Sequence, residues 1–94
     1  MSLFSNVKIY AGNWNVKSTD KLDDSDKKII KSACTVSSEF GVSVCFFLKA
    51  GGQFYVPLSR DCNLGIGEVV DLDKVEVITL SKDGEADIQR INVV

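Results

Sequence analysis

Histidine is absent from all 94 residues. That absence removes the Ser-His-Asp and Cys-His nucleophile arrangements, the imidazole acid–base, and most zinc and iron sites. An enzyme built on this chain would have to run on carboxylates, lysine, tyrosine or cysteine alone. The expectation is therefore a non-enzymatic protein with no catalytic residue, metal or cofactor. Cysteine is scarce: Cys34, Cys45 and Cys62 make an odd count at wide spacing. This fits neither a disulfide framework nor a CxxC-type zinc site, and points to small buried or half-buried thiols in a reducing cytoplasm. Long apolar runs are missing as well. None approaches the roughly 20 residues that span a bilayer, and the N-terminus lacks the charged-then-apolar pattern of a secretory signal. No membrane partner is expected.

What is present belongs to a globular chain. The apolar fraction is 45%, and 26% charged residues are too few for a disordered one. Residues 1–94 fit one small domain that buries roughly 60–65% of its unfolded surface. The net charge of −2 is unevenly spread. Lys27, Lys28, Lys31, Lys49 and Arg60 face only Glu39 across residues 27–60, whereas eight acids follow from Asp61 onward against Lys74, Lys82 and Arg90. A local basic interval can steer an anion, but repulsion from the acidic remainder argues against strong non-specific duplex binding.

The segment 42–60 carries the most information. Two alternating runs, Val42–Lys49 and Gln53–Arg60, flank Ala50-Gly51-Gly52, a β-hairpin signal. A three-residue loop at Ala50, Gly51 and Gly52, with Gly52 left-handed, sets Lys49 opposite Gln53. Val42, Val44, Phe46 and Leu48 then share one face with Phe54, Val56 and Leu58. Phe47 falls opposite Tyr55 on the other face, beside Lys49. A two-residue loop would mix apolar and polar residues on both faces.

Residues 6–10 read as a short strand, broken by turn-forming residues 11–15. Trp14 reads as a core or lid aromatic over one end of a barrel. Asp23, Asp24 or Ser25 caps a short helix through Ile30, with acids at its start, lysines toward its end, and Leu22 placed to staple onto an isoleucine. The same acids lack the glycine and closing glutamate of a calcium loop. Lys31–Phe40 reads as a strand and 61–68 as the longest loop. Gly65-x-Gly67 is only a fragment of a dinucleotide fingerprint, with no helix after it. At 75–94 a second hairpin turns at Lys82-Asp83-Gly84, with Gly84 left-handed. Leu80 then pairs with Ala86, Ile78 with Ile88, and Glu76 with Arg90 as an ion pair. The expected core is Val44, Phe46, Leu48, Phe54, Val56, Leu58, Ile78, Leu80 and Ile88.

Taken together, the Lys31–Phe40 strand, the aromatic hairpin 42–60, Gly67-Glu68-Val69-Val70 and the 75–94 hairpin resemble the small OB-type single-stranded DNA-binding domains of bacteria and phages. The resemblance covers roughly residues 29–94 and rests on pattern. It implies an all-β fold, a five- or six-stranded OB-like barrel with one short helix, carrying aromatics on the middle strands. An SH3-like barrel or small sandwich fits the same elements. The bacterial family's acidic partner-recruiting tail has no counterpart in the closing residues Arg90-Ile-Asn-Val-Val94.

Two functions follow. In the first, Phe47 and Tyr55 stack the bases of a single-stranded nucleic acid, Lys49, Lys31 and Arg60 meet phosphates, and Gln53 adds polar contacts. Stacking at roughly 1–3 kcal/mol per base gives modest affinity. In the second, the chain is a protein-interaction or assembly module, such as a phage accessory protein. Its apolar ends, Met1-Ser-Leu-Phe4 and Ile91-Asn-Val-Val94, would add a strand to a partner or a second copy. Ordinary core packing of the aromatics, and a last strand that simply completes the barrel, compete with both.

Overall fold

The structure, a computed structural model, describes residues 15–39, 41–81 and 88–94. The strand read at 6–10, Trp14, the Met1–Phe4 end, Phe40, the Lys82-Asp83-Gly84 loop and Ala86 lie outside the described residues. The elements run β1 (Asn15–Lys21), α1 (Asp24–Ile29), β2 (Ile30–Ser38), β3 (Gly41–Leu48), β4 (Gln53–Pro57), a 3-10 turn (Leu72–Lys74), β5 (Val75–Ser81) and β6 (Ile88–Val93). The all-β reading with one short helix holds. The closed barrel does not appear among these strands, which form two three-stranded antiparallel sheets, β1-β5-β6 and β2-β3-β4. The sheets touch where Leu58 bridges Ile91 in the parallel sense and the Ser59 N–H donates to the Ile91 carbonyl at 2.7 Å. Among the described residues no helix is long and apolar enough to cross a membrane.

β1 corrects the sequence reading, which put turn-forming residues at 11–15 and no strand between them and the helix cap. Its sequence, Asn-Val-Lys-Ser-Thr-Asp-Lys, holds a single apolar residue and so gives no alternation to read. The strand exists through its ladder to β5, with a bulge between Val16 and Ser18. Polar composition suits an edge strand.

α1 forms for the expected reason. The Asp23 side chain caps it, accepting from the Asp26 N–H at 2.8 Å, and Lys27 and Lys28 occupy the last turn. The helix stops one residue early, because Ile30 takes extended backbone and opens β2. Leu22 and Ile30, on either side of it, both enter the hydrophobic core. Asp26 is itself buried, and among the described residues its Oδ1 has no hydrogen-bond partner. Burial, then the Asp23 carboxylate beside it, raises the Asp26 pKa above the usual aspartate value.

In the β3–β4 hairpin the shared faces are as expected and the register differs by two residues. Phe46 pairs with Phe54 and Val44 with Val56, and the Phe46 and Phe54 rings stack at 5.0 Å. Phe46 is fully buried (0% exposed). Phe47, however, lies opposite Gln53, and Tyr55 opposite Cys45. The loop is Lys49-Ala50-Gly51, closed by Leu48 N–H to Gly52 carbonyl at 3.1 Å. Lys49 thus sits in the turn and does not pair with Gln53. Gly51 and Gly52 both hold positive φ, 98° and 88°. Two adjacent glycines could each supply the left-handed position, so the turn could slide without any change of face.

The β5–β6 hairpin slides the other way. Leu80 pairs with Ile88, Ile78 with Arg90, and Glu76 with Asn92, so the Glu76–Arg90 ion pair is not formed. The Asn92 amide reaches Glu76 at 3.5 Å, and Arg90 Nη1 donates to the Leu58 carbonyl at 3.2 Å. The main core takes Val75, Val77 and Ile91 from this sheet. The expected Ile78 and Leu80 are half-buried, and Ile88, buried outside that cluster, lies with them on the opposite face.

Candidate nucleic-acid interface

The outer face of the β2-β3-β4 sheet follows from the register. Across it run the rows Ser32–Phe47–Gln53, Cys34–Cys45–Tyr55 and Val36–Ser43–Pro57. Val69 extends the middle row through an isolated bridge to Cys34. Tyr55 is 52% exposed and Val69 85%, while Cys45 between them is buried. Phe47 is half-buried, and Lys31, Ser32 and Gln53 are exposed.

A shallow depression of about 450 Å³ gathers Lys31, Ser32, Phe47 and Gln53 beside the Gly51-Gly52 turn. A second, of about 540 Å³, lies along Val36, Ser43, Tyr55 and Pro57 and ends at Glu39. The Gln53 side-chain amide donates to the Tyr55 hydroxyl, which links the two. The structure therefore brings together Lys31, Phe47, Gln53 and Tyr55. Lys49 stands apart in the turn, whose backbone is tied to the helix end by Lys49 N–H to Ile29 carbonyl at 3.0 Å. Arg60 lies beyond the far end of β4, where its charge acts on Arg90. Burial, then the Arg60 charge, lowers the Arg90 pKa below its ordinary value.

The edge of this sheet is closed by buried Thr35. Its hydroxyl donates to the Gly65 carbonyl and accepts from the Glu68 N–H at 2.8 Å. Backbone bonds from Thr35 N–H to Glu68 carbonyl and from Val70 N–H to Ala33 carbonyl, each 2.9 Å, complete the cover. The segment 65–70 thus occupies β2's free edge and blunts it against strand addition. It also delivers Val69 to the outer face and leaves Ile66 63% exposed. The placing of Val69 beside Cys34 and of Arg90 against the Leu58 carbonyl was not readable, since neither pairing has a local sequence signal.

Among the described residues no group of three histidine, cysteine, aspartate or glutamate side chains is placed to hold a metal ion. Compared with protein-family models, curated proteins and solved structures, the chain matches none.

Proposed function

We propose that this protein is a non-enzymatic, cytoplasmic single-stranded nucleic-acid-binding module that uses the outer face of the β2-β3-β4 sheet, in the manner of OB-like domains with stacking aromatics on middle strands. One observation carries it: the half-open Tyr55 ring stands on the outer face of the sheet beside the Lys31–Phe47–Gln53 depression. Tyr55 is the main stacking platform, and half-buried Phe47 lines the depression beside it. Lys31 and Lys49 meet phosphates at the turn end, and Arg60 does so at the opposite end of β4. Gln53 orients Tyr55 through their hydrogen bond and presents its remaining polar groups to a base. One open ring supports about 1–3 kcal/mol of stacking, so binding is weak and salt-dependent.

Titration of fluorescent oligonucleotides at two salt concentrations tests this reading. The expected outcome is tyrosine quenching and a negative salt slope, with Lys31→Ala and Lys49→Ala each flattening the slope by about 0.7. Flat traces from folded protein would reject it. The second reading, a protein-interaction module, is favoured by the exposure of Val69 and Ile66 beside the same face, since an apolar rim suits a protein surface better than phosphates.

A further inference from the structure

Cys34 and Cys45 face each other across the β2–β3 ladder, and both are free thiols. Their backbone setting follows from the neighbouring bonds. The Thr35 N–H and carbonyl both point away from β3, to Glu68 and Gly67. Alternation therefore turns the Cys34 N–H and carbonyl toward β3, which makes Cys34–Cys45 a hydrogen-bonded pair with Cα atoms about 5.5 Å apart. That distance lies within the range a disulfide spans. The corresponding Cβ separation, about 5.5 Å, exceeds the usual 3.5–4.5 Å, so the bond would be strained and readily reduced. Cys34 is half-exposed and Cys45 buried, so one thiol is open to an oxidant and the other waits behind it.

We propose that Cys34 and Cys45 are a redox-modification site, at which a peroxide oxidant closes a reversible cross-strand disulfide. Hydrogen peroxide oxidises the Cys34 thiol to the sulfenic acid and leaves as water. The Cys45 sulfur then displaces the hydroxyl: the S–S bond forms, the S–O bond breaks, and the Cys45 proton leaves with that oxygen as a second water. Two sulfurs lose two electrons and one peroxide gains them. The order follows from access and from acidity, because burial, then Cys34 beside it, raises the Cys45 pKa, which Tyr55 only partly opposes. Cys62 packs on the core from the loop after β4 and is the internal control. The site is independent of whether the outer face binds nucleic acid.

The test is peroxide treatment of the folded full chain, then alkylation and mass mapping. Cys34 and Cys45 lie in one tryptic peptide, bounded by Lys31 and Lys49, so cleavage after Glu39 is needed to separate them. The expected product is a monomer lighter by two hydrogens, whose two half-peptides stay joined until reduction, with Cys62 still alkylatable. Reduced glutathione should release the pair, and Cys62→Ser should behave as the unaltered chain. Several results would overturn the proposal: sulfinic acid at Cys34, links through Cys62, dimers joined at Cys34, or a joined pair formed only in urea. A pair that resists glutathione would contradict the strained geometry.

Discussion

The two sheets were built from similar sequence grammar and differ in how they use their faces. In β2-β3-β4 one face is dry and the other graded: Phe46, Val44 and Val56 are fully buried, whereas Phe47 is half-buried and Tyr55 open. In β1-β5-β6 the β5–β6 hairpin carries aliphatic residues on both faces, with Val75, Val77 and Ile91 toward the core and Ile78, Leu80 and Ile88 opposite, beside Glu76, Arg90 and Asn92. A sheet with one polar face declares its orientation in the sequence, because a slip of one residue would expose its core. A sheet with aliphatic residues on both faces does not. The proposed binding face is of the first kind, where an exposed aromatic is a departure from the pattern and not part of it.

The largest expected effect sets these faces against each other. Phe46→Ala should cost about 3–5 kcal/mol in denaturant unfolding, and Phe47→Ala less than half as much. In the other sheet, Ile91→Ala and Ile88→Ala should each cost about 2–5 kcal/mol although they lie on opposite faces. A large Phe47 effect, or a small Ile88 one, would dissolve the contrast.

Smaller in effect is the edge cover. Thr35→Val keeps the shape and removes the hydroxyl that serves both Gly65 and Glu68, so it should cost about 1–3 kcal/mol. Hydrogen exchange at the Glu68 and Val70 amides should accelerate in that variant. Unchanged exchange would mean that segment 65–70 is held by its backbone alone.

These outcomes also mark how far the sequence could be read. Alternation in Val42–Leu48 and Gln53–Leu58 decided which side chains share a face, and the helix cap at Asp23 was explicit in the acid-then-lysine order. Neither decided absolute register. The pair Gly51-Gly52 permits two loop placements with the same faces, and the one adopted moves Phe47 from Tyr55 to Gln53. β1 had too few apolar residues to be seen, and the contact of Val69 with Cys34 depends on a bond network that joins residues some 30 positions apart. The aromatic face was legible; its grouping was not.

Loop placement has its own test. Gly51→Ala and Gly52→Ala should each cost about 1–2 kcal/mol through left-handed backbone alone, since an added Cβ meets nothing within 4 Å at either position. A neutral result at Gly51 would restore the loop ending at Gly52.

The smallest effect is a pH dependence. Because the Asp26 pKa is raised in the fold, its favourable contribution is present below the ordinary value of 3.8 and is lost as pH rises through the folded value. Asp26→Asn should therefore be more stable than the unaltered chain at neutral pH, with the advantage vanishing in acid. Paired melts across pH would show this, and an advantage that grows in acid would reverse the sign.

The contrast between the sheets bears most directly on function in an amide chemical-shift titration with a single-stranded oligonucleotide. The account expects shifts confined to Lys31–Val36, Ser43–Phe47, Lys49, Gln53–Val56, Arg60 and Val69, with Val75–Leu80 and Ile88–Val93 unmoved, and their loss in Tyr55→Ala. Shifts centred on the β1-β5-β6 sheet, or none at saturating oligonucleotide, would contradict it.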